Sequence, residues 1–151
     1  MKKTLLTLAL VASSLMANQL SKECSYLNTM NQQQTLSVPQ DKTKVEKHMD
    51  CLFEFISKDQ NKQLQGKRID KNTVFEGMSY DKRTNVLQSS NIVTNIKVST
   101  LKQNTQQAKN YTCKNQVFSS FLPYGLSMKT VFKSQEGKEL HSFNVSQKDC
   151  K

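Results

Sequence analysis

The chain changes its hydrophobic period more than once, and those changes divide it. In "NQLSKECSYLNTMNQQQ", Leu20, Cys24, Leu27 and Met30 or Asn31 recur at three and four, one face of a helix. Pro39 in "LSVPQD" ends that helix, because it pushes Val38 out of helical geometry. Val45, Met49, Leu52 and Ile56 trace the apolar face of a second helix in "DKTKVEKHMDCLFEFISK", widened by Phe53 and Phe55. Asp41 stands where its N-cap belongs. Residues 18–60 are therefore expected to form two antiparallel helices.

A polar connection, "KDQNKQLQGKRIDKN", runs to Asn72, and the period then falls to two. "TVFEGMSY" and "NVLQSSNIV", separated by "DKRT", predict a long β-hairpin with Val74, Met78 and Tyr80 on one side of its first strand. Val98, Leu101, Thr105, Ala108 and Tyr111 return to helical spacing. Val117, Phe118, Phe121 and Leu122 make a shorter helix that Pro123 and Gly125 stop. "LSMKTVFK" and "KELHSFNV" flank "SQEG", a second hairpin. The order is α-α, then β-β-α-α-β-β. Strands and helices in blocks predict an α+β fold: an N-terminal helical hairpin followed by a ββααββ antiparallel-sheet module over residues 72–151, with helices on one sheet face.

The first residues add an address. "MKK" is cationic, "TLLTLALVA" is a short apolar run, and "SSLMA" offers small residues before a cut at Ala17/Asn18. Residues 1–17 are read as a bacterial signal peptide, since the apolar run is too short to span a bilayer. Cys24 follows "LSKE", which does not resemble a lipobox. Residues 18–151 are expected to be one domain, soluble and periplasmic or secreted.

In that compartment Cys24, Cys51, Cys113 and Cys150 read as disulfides. Four cysteines allow three pairings, and the count alone does not choose. The predicted layout favours Cys24–Cys51, linking the two N-terminal helices, and Cys113–Cys150, tying the last strand to the helical layer. The other pairings force both bridges across the molecule. No C-x-x-C is present, and His48 and His141 lie far apart, so neither a zinc site nor a thioredoxin-like redox site is indicated.

The segment from Cys113 to Cys150, "CKN…FLPYG…FKSQEGKEL…FNV…DC", is similar to the C-terminal pattern of some uncharacterised small secreted bacterial envelope proteins. In those a Cys-led helix, a glycine, a hairpin and a last Asp-Cys recur. The resemblance implies an exported α+β module and no particular activity.

Candidate chemistry is sparse. Glu46, His48, Asp50 and Glu54 crowd one helix, and His48 with Cys51 is an i, i+3 pair. They are read as a solvated helix face with a boundary histidine. There is no G-x-S-x-G elbow, phosphate-binding glycine loop or H-E-x-x-H. No cofactor and no metal are expected, and no catalytic residue is assigned. A hydrolase of envelope polymers would have to use Asp50, Glu54 or His141. Asn110 and Asn144 head N-x-S/T tripeptides, read as unmodified in a bacterial protein.

Charge is the strongest global signal: 22 Lys and Arg against 12 Asp and Glu, a formal net of +10. Lys62, Lys67, Arg68, Lys71, Lys82 and Arg83 form one candidate basic patch if the linker and first hairpin turn lie together. Such a patch would attract anionic polymers or lipid headgroups. No nucleic-acid motif accompanies it, so sequence-specific binding is not expected. The charge weighs against an inhibitor of a basic enzyme such as lysozyme. The leading expectation is a non-enzymatic protein-binding or accessory protein of the envelope: a secretion accessory, an immunity-type inhibitor or a surface interaction module. A basic binder of anionic polymers or membranes comes second, and the hydrolase third.

Overall fold

The computed structural model describes residues 20–151. The expected signal segment and its cleavage point lie outside the described residues. None of the described helices is long and apolar enough to cross a membrane.

The first expected helix forms only in pieces. Lys22–Thr29 is a 3-10 helix, and α1, Gln32–Leu36, is a single short stretch. The apolar spacing is right, since Cys24 and Leu27 are buried. Side chains compete for the backbone, however. Ser25 Oγ donates to the Lys22 carbonyl at 2.8 Å and Thr29 Oγ1 to the Tyr26 carbonyl at 2.7 Å. Asn31 then starts α1 with a capping box to Gln34. Such local bonds favour turns and caps over a continuous helix.

α2, Val45–Leu64, forms as its pattern predicts, entered through a 3-10 turn that Asp41 caps by accepting from the Thr43 N–H. It runs on through Leu64 because Gln63 bonds Asp59 and Lys58 pairs with Glu54 along its exposed side, each at i, i+4. Gly66, at φ +76°, then supplies the left-handed residue that ends it.

A five-stranded sheet follows, in spatial order β1-β2-β3-β4-β5: β1 Arg68–Asp70, β2 Thr73–Asp81, β3 Val86–Val93, β4 Ser127–Lys133 and β5 Glu139–Val145. β1 lies inside the stretch read as a polar connection; with three residues it has no alternation to detect. The class is α+β and the ββααββ order holds, but the sheet is mixed. β3 and β4 run parallel, whereas β2–β3 and β4–β5 are antiparallel hairpins. The chain leaves β3 at its far end, and α3, Val98–Lys114, with α4, Gln116–Phe121, carries it back to start β4 beside the start of β3. A helical crossover of this length makes parallel neighbours possible.

A bulge between Phe75 and Gly77 shifts the β2–β3 register. It corrects the predicted facing. Thr73 and Phe75 share the helix-covered face with Met78 and Tyr80, while Val74 turns to the other face. The extra residue switches the parity of everything before it.

The core joins Met49, Leu52, Phe53 and Ile56 of α2 to Phe75, Met78 and Leu87 of the sheet and Val117, Phe118 and Phe121 of α4. Phe53 meets Phe121 edge-on, ring centroids 5.4 Å apart. Each such aromatic, fully buried, contributes about 2–3 kcal/mol. Cys24, Leu27 and Cys51 form a second cluster between the N-terminal segment and α2. On the opposite sheet face Lys133 pairs with Glu76 at 2.8 Å, across β3.

Candidate functional site

α2 packs on β2 and α3 on β5, both on the same sheet face. Their main sheet contacts leave β3 and β4 between them, with α4 packed into the core on the α2 side through Phe118 and Phe121, and we read the strip between the two helices as a candidate cleft. The strand registers lay out its floor. One row is Phe75, Asn91, Phe132 and His141; the next is Met78, Ser89, Thr130 and Phe143. The β2 and β3 members are buried, whereas Thr130, Phe132, His141 and Phe143 are only half-buried.

The half-buried members form an aromatic strip. His141 stacks on Phe132 with ring planes 5° apart and centroids at 6.5 Å, and lies 6.1 Å from Phe143. Its Nε2 is 2.8 Å from Thr105 Oγ1 of α3, and that hydroxyl is also 3.1 Å from the Leu101 carbonyl. Both contacts are satisfied if Thr105 donates to Leu101 and accepts from His141. The ring is thereby positioned by packing and a neutral hydroxyl, with no carboxylate bonded to its other nitrogen among the described residues. That suits a binding surface better than a general base. Nearby polarity is incompletely paired: Asn91 Oδ1 on the floor and Gln60 Oε1, on the helical face of Phe53 and Ile56, are buried acceptors without a partner among the described residues.

A second feature lies where the N-terminal segment meets α2. His48, 2% exposed, has Nε2 2.9 Å from the Thr35 carbonyl and Nδ1 3.2 Å from the Tyr26 hydroxyl. A carbonyl only accepts, so Nε2 carries the proton and Nδ1 accepts from Tyr26. Burial lowers the His48 pKa below 6.5, against the opposing pull of its bonds to Thr35 and Ser37. This overturns its reading as a boundary residue on a solvated face: the N-terminal segment folds over it. Cys24 is bonded to Cys51 beside it, Cα atoms 5.3 Å apart. An open depression of about 800 Å³, bordered by Met30, Gln34, Val38 and His48, lies along this seam.

The other residues singled out in the sequence do not converge. Asp50 accepts from the Tyr80 hydroxyl at 2.9 Å, and burial raises its pKa despite that bond. Glu54 is paired with Lys58. His141 belongs to β5, three strand spacings or about 14 Å from β2, so it shares no site with Asp50. Among the described residues no three His, Cys, Asp or Glu side chains gather as a metal ion would need. Cys113 is bonded to Cys150, Cα atoms 5.3 Å apart.

The predicted basic patch is split. Lys62, Lys67, Arg68 and Lys71 lie at the end of α2 and around β1, whereas Lys82 and Arg83 lie past the other end of β2. Nine strand residues, roughly 30 Å, separate Lys71 from Lys82. The sequence reading also missed the cleft: Phe132, His141 and Phe143 meet within the β4–β5 hairpin, but Thr105 joins them only through the packing of α3 on β5, a tertiary contact. The alternation in "MKTVF" and "LHSFNV" was the available signal.

No protein-family model and no curated protein matches the chain. Three solved structures share its fold. A Pseudomonas aeruginosa protein inferred to be secreted superposes with a TM-score of 0.59 at 14% identity, covering 70% of this chain and 96% of its own. The type II secretion system pilotin AspS of Vibrio cholerae gives 0.53 at 15% identity, covering 70% and 94%. The pilotin EpsS of the Vibrio vulnificus type 2 secretion system gives 0.52 at 16%, again covering 70% and 94%.

Proposed function

We propose that this chain is an exported accessory protein of the bacterial envelope, of the secretion-accessory kind, that binds another exported protein in the cleft between α2 and α3. The observation that carries the reading is the fold shared with two type II secretion pilotins over nearly their whole length. The cleft supports it independently. Half-buried aromatics beside polar floor residues are the composition of a protein-binding surface, where a few aromatic anchors supply most of the energy. The cysteines support an exported compartment: four in two bridges with none free suits an oxidising environment. The carboxylates that a hydrolase would use are engaged otherwise, Asp50 by the Tyr80 hydroxyl and Glu54 by Lys58.

The test is affinity capture of the oxidised protein from envelope extracts, with a Phe132→Glu, Phe143→Glu variant in parallel. The expected result is stoichiometric enrichment of one exported protein by the parent and not by the variant, both having the same circular dichroism. Equal capture by both removes the cleft from the account, and repeated capture of nothing removes the binding function.

A further inference from the structure

The split of the expected lysine patch reveals a different cluster at one end of the sheet. Four segments meet there. The β2–β3 turn carries Lys82 and Arg83, and the Asn85 carbonyl accepts from the Ser127 N–H at 2.9 Å, which brings in the 3-10 turn Leu122–Tyr124 just before β4. Met128 pairs with Val145, so the end of β5 and the following Lys148 lie at the same end. The Cys113–Cys150 bridge adds the end of α3 with Lys114. Lys82, Arg83, Lys114, Lys148 and Lys151 are all exposed.

Tyr124 is among them, 42% exposed, one of the two large hydrophobic residues exposed on the described surface. Pro123 and Gly125 flank it and are exposed too. The acidic groups at this end are fewer or already engaged. Asp149 holds Lys109 at 3.0 Å, Asp81 bonds the Arg83 N–H, and Asp50 is taken up by Tyr80. Glu46 and Glu54, one turn before and one turn after Asp50 on α2, add negative charge near it, and Lys82 is close enough to Asp50 to offset part of that charge.

We infer that this end is a docking tip for an anionic phospholipid bilayer. Lysine and arginine are attracted to anionic headgroups. A tyrosine with an apolar body and polar end fits the headgroup level. Loops at a sheet end suit a plane better than a polymer, which needs a track of cations with interleaved aromatics to stack on. The inference rests on this surface alone and stands whether or not the cleft binds a protein.

Vesicle co-sedimentation of the purified oxidised protein tests it, using phosphatidylcholine vesicles with and without phosphatidylglycerol at low ionic strength. Binding is expected only with phosphatidylglycerol, weakening as salt rises. Removing Lys82 and Arg83 together as Gln should weaken it by roughly 25-fold, at about fivefold per charge. Tyr124→Ala should weaken it without changing net charge. The matched control, Lys67→Gln with Lys71→Gln at the opposite end, should leave it intact. No binding to phosphatidylglycerol vesicles overturns the inference. So does an equal loss in the control, which would mean diffuse charge attraction, or retention on heparin without vesicle binding, which would assign the tip to a polymer.

Discussion

His48 of α2 donates from Nε2 to the carbonyl of Thr35, 2.9 Å away and thirteen residues earlier in the chain. That one bond, with the Tyr26 hydroxyl on the other ring nitrogen and Phe121 stacked at 6.2 Å, fastens the N-terminal segment to the main core.

Replacing His48 with Ala should cost about 2 kcal/mol, because the Thr35 carbonyl loses its buried donor. Hydrogen exchange should rise across residues 22–36 before it rises in the sheet. The pH dependence has a definite sign. The folded pKa lies below 6.5, so between the two values the unfolded chain binds more protons. The contribution is complete above about pH 6.5 and is lost as pH falls through the lowered folded value. Denaturant midpoints measured from pH 7.5 down to 5 should decline in the parent and decline less in His48→Ala.

Asn61 reads the β2 bulge. Its Oδ1 accepts from the Met78 N–H at 2.6 Å and its Nδ2 donates to the Met78 carbonyl at 2.8 Å. A Cβ at Gly77 would stand 3.4 Å from Asn61 Oδ1, ordinary van der Waals contact, so the approach does not depend on the glycine. Asn61→Ala should cost about 2 kcal/mol for two half-buried backbone groups left without a partner. Asn61→Asp restores only the acceptor and should recover less than half. Urea midpoints at constant m-value check both.

The C-terminal turn has an acid-sensitive element. Asp149 accepts from the Ser146 N–H and from Lys109, and the backbone bond, followed by that lysine, holds its pKa at about 2. Its folded pKa is below the ordinary 3.8. The stability it supplies is present above about pH 3.8 and is lost as pH falls toward 2. Lys109→Met should raise the Asp149 pKa, as followed by carboxyl carbon chemical shift, with a smaller effect than Ser146→Pro, which removes the N–H.

The bridges are open to a direct check. Non-reducing peptide mapping should link Cys24 to Cys51 and Cys113 to Cys150, with no free thiol. The loop-entropy estimate gives each about 3.5 to 4 kcal/mol, an upper figure. Cys113→Ser with Cys150→Ser should increase exchange at residues 143–150 while leaving β2 protected.

Much of this fold was legible because its long elements obey one period each. α2, α3 and both hairpins follow directly from positions such as Met49, Leu52 and Ile56, or Leu87 and the alternation after it. What escaped was decided by single residues or by tertiary pairing. The bulge at Glu76 reverses the facing of Val74, and no pattern of period two records an inserted residue. Ser25, Thr29 and Asn31 break an apolar helical stripe through local hydrogen bonds. β1 is too short to alternate. The burial of His48 depends on a segment folding back over it, and the cleft depends on β4 choosing the β3 edge. The basic residues were visible, but their grouping was a question of which ends of β2 they occupy.

Site-specific photo-crosslinking tests the central claim most directly. A photoreactive residue placed at Phe143, on the cleft floor, should yield one dominant adduct with an exported protein in intact cells. The same residue at Ser79, on the opposite sheet face, should yield none. Identical adducts from both positions, or none from Phe143 while the protein is folded and exported, would contradict the account.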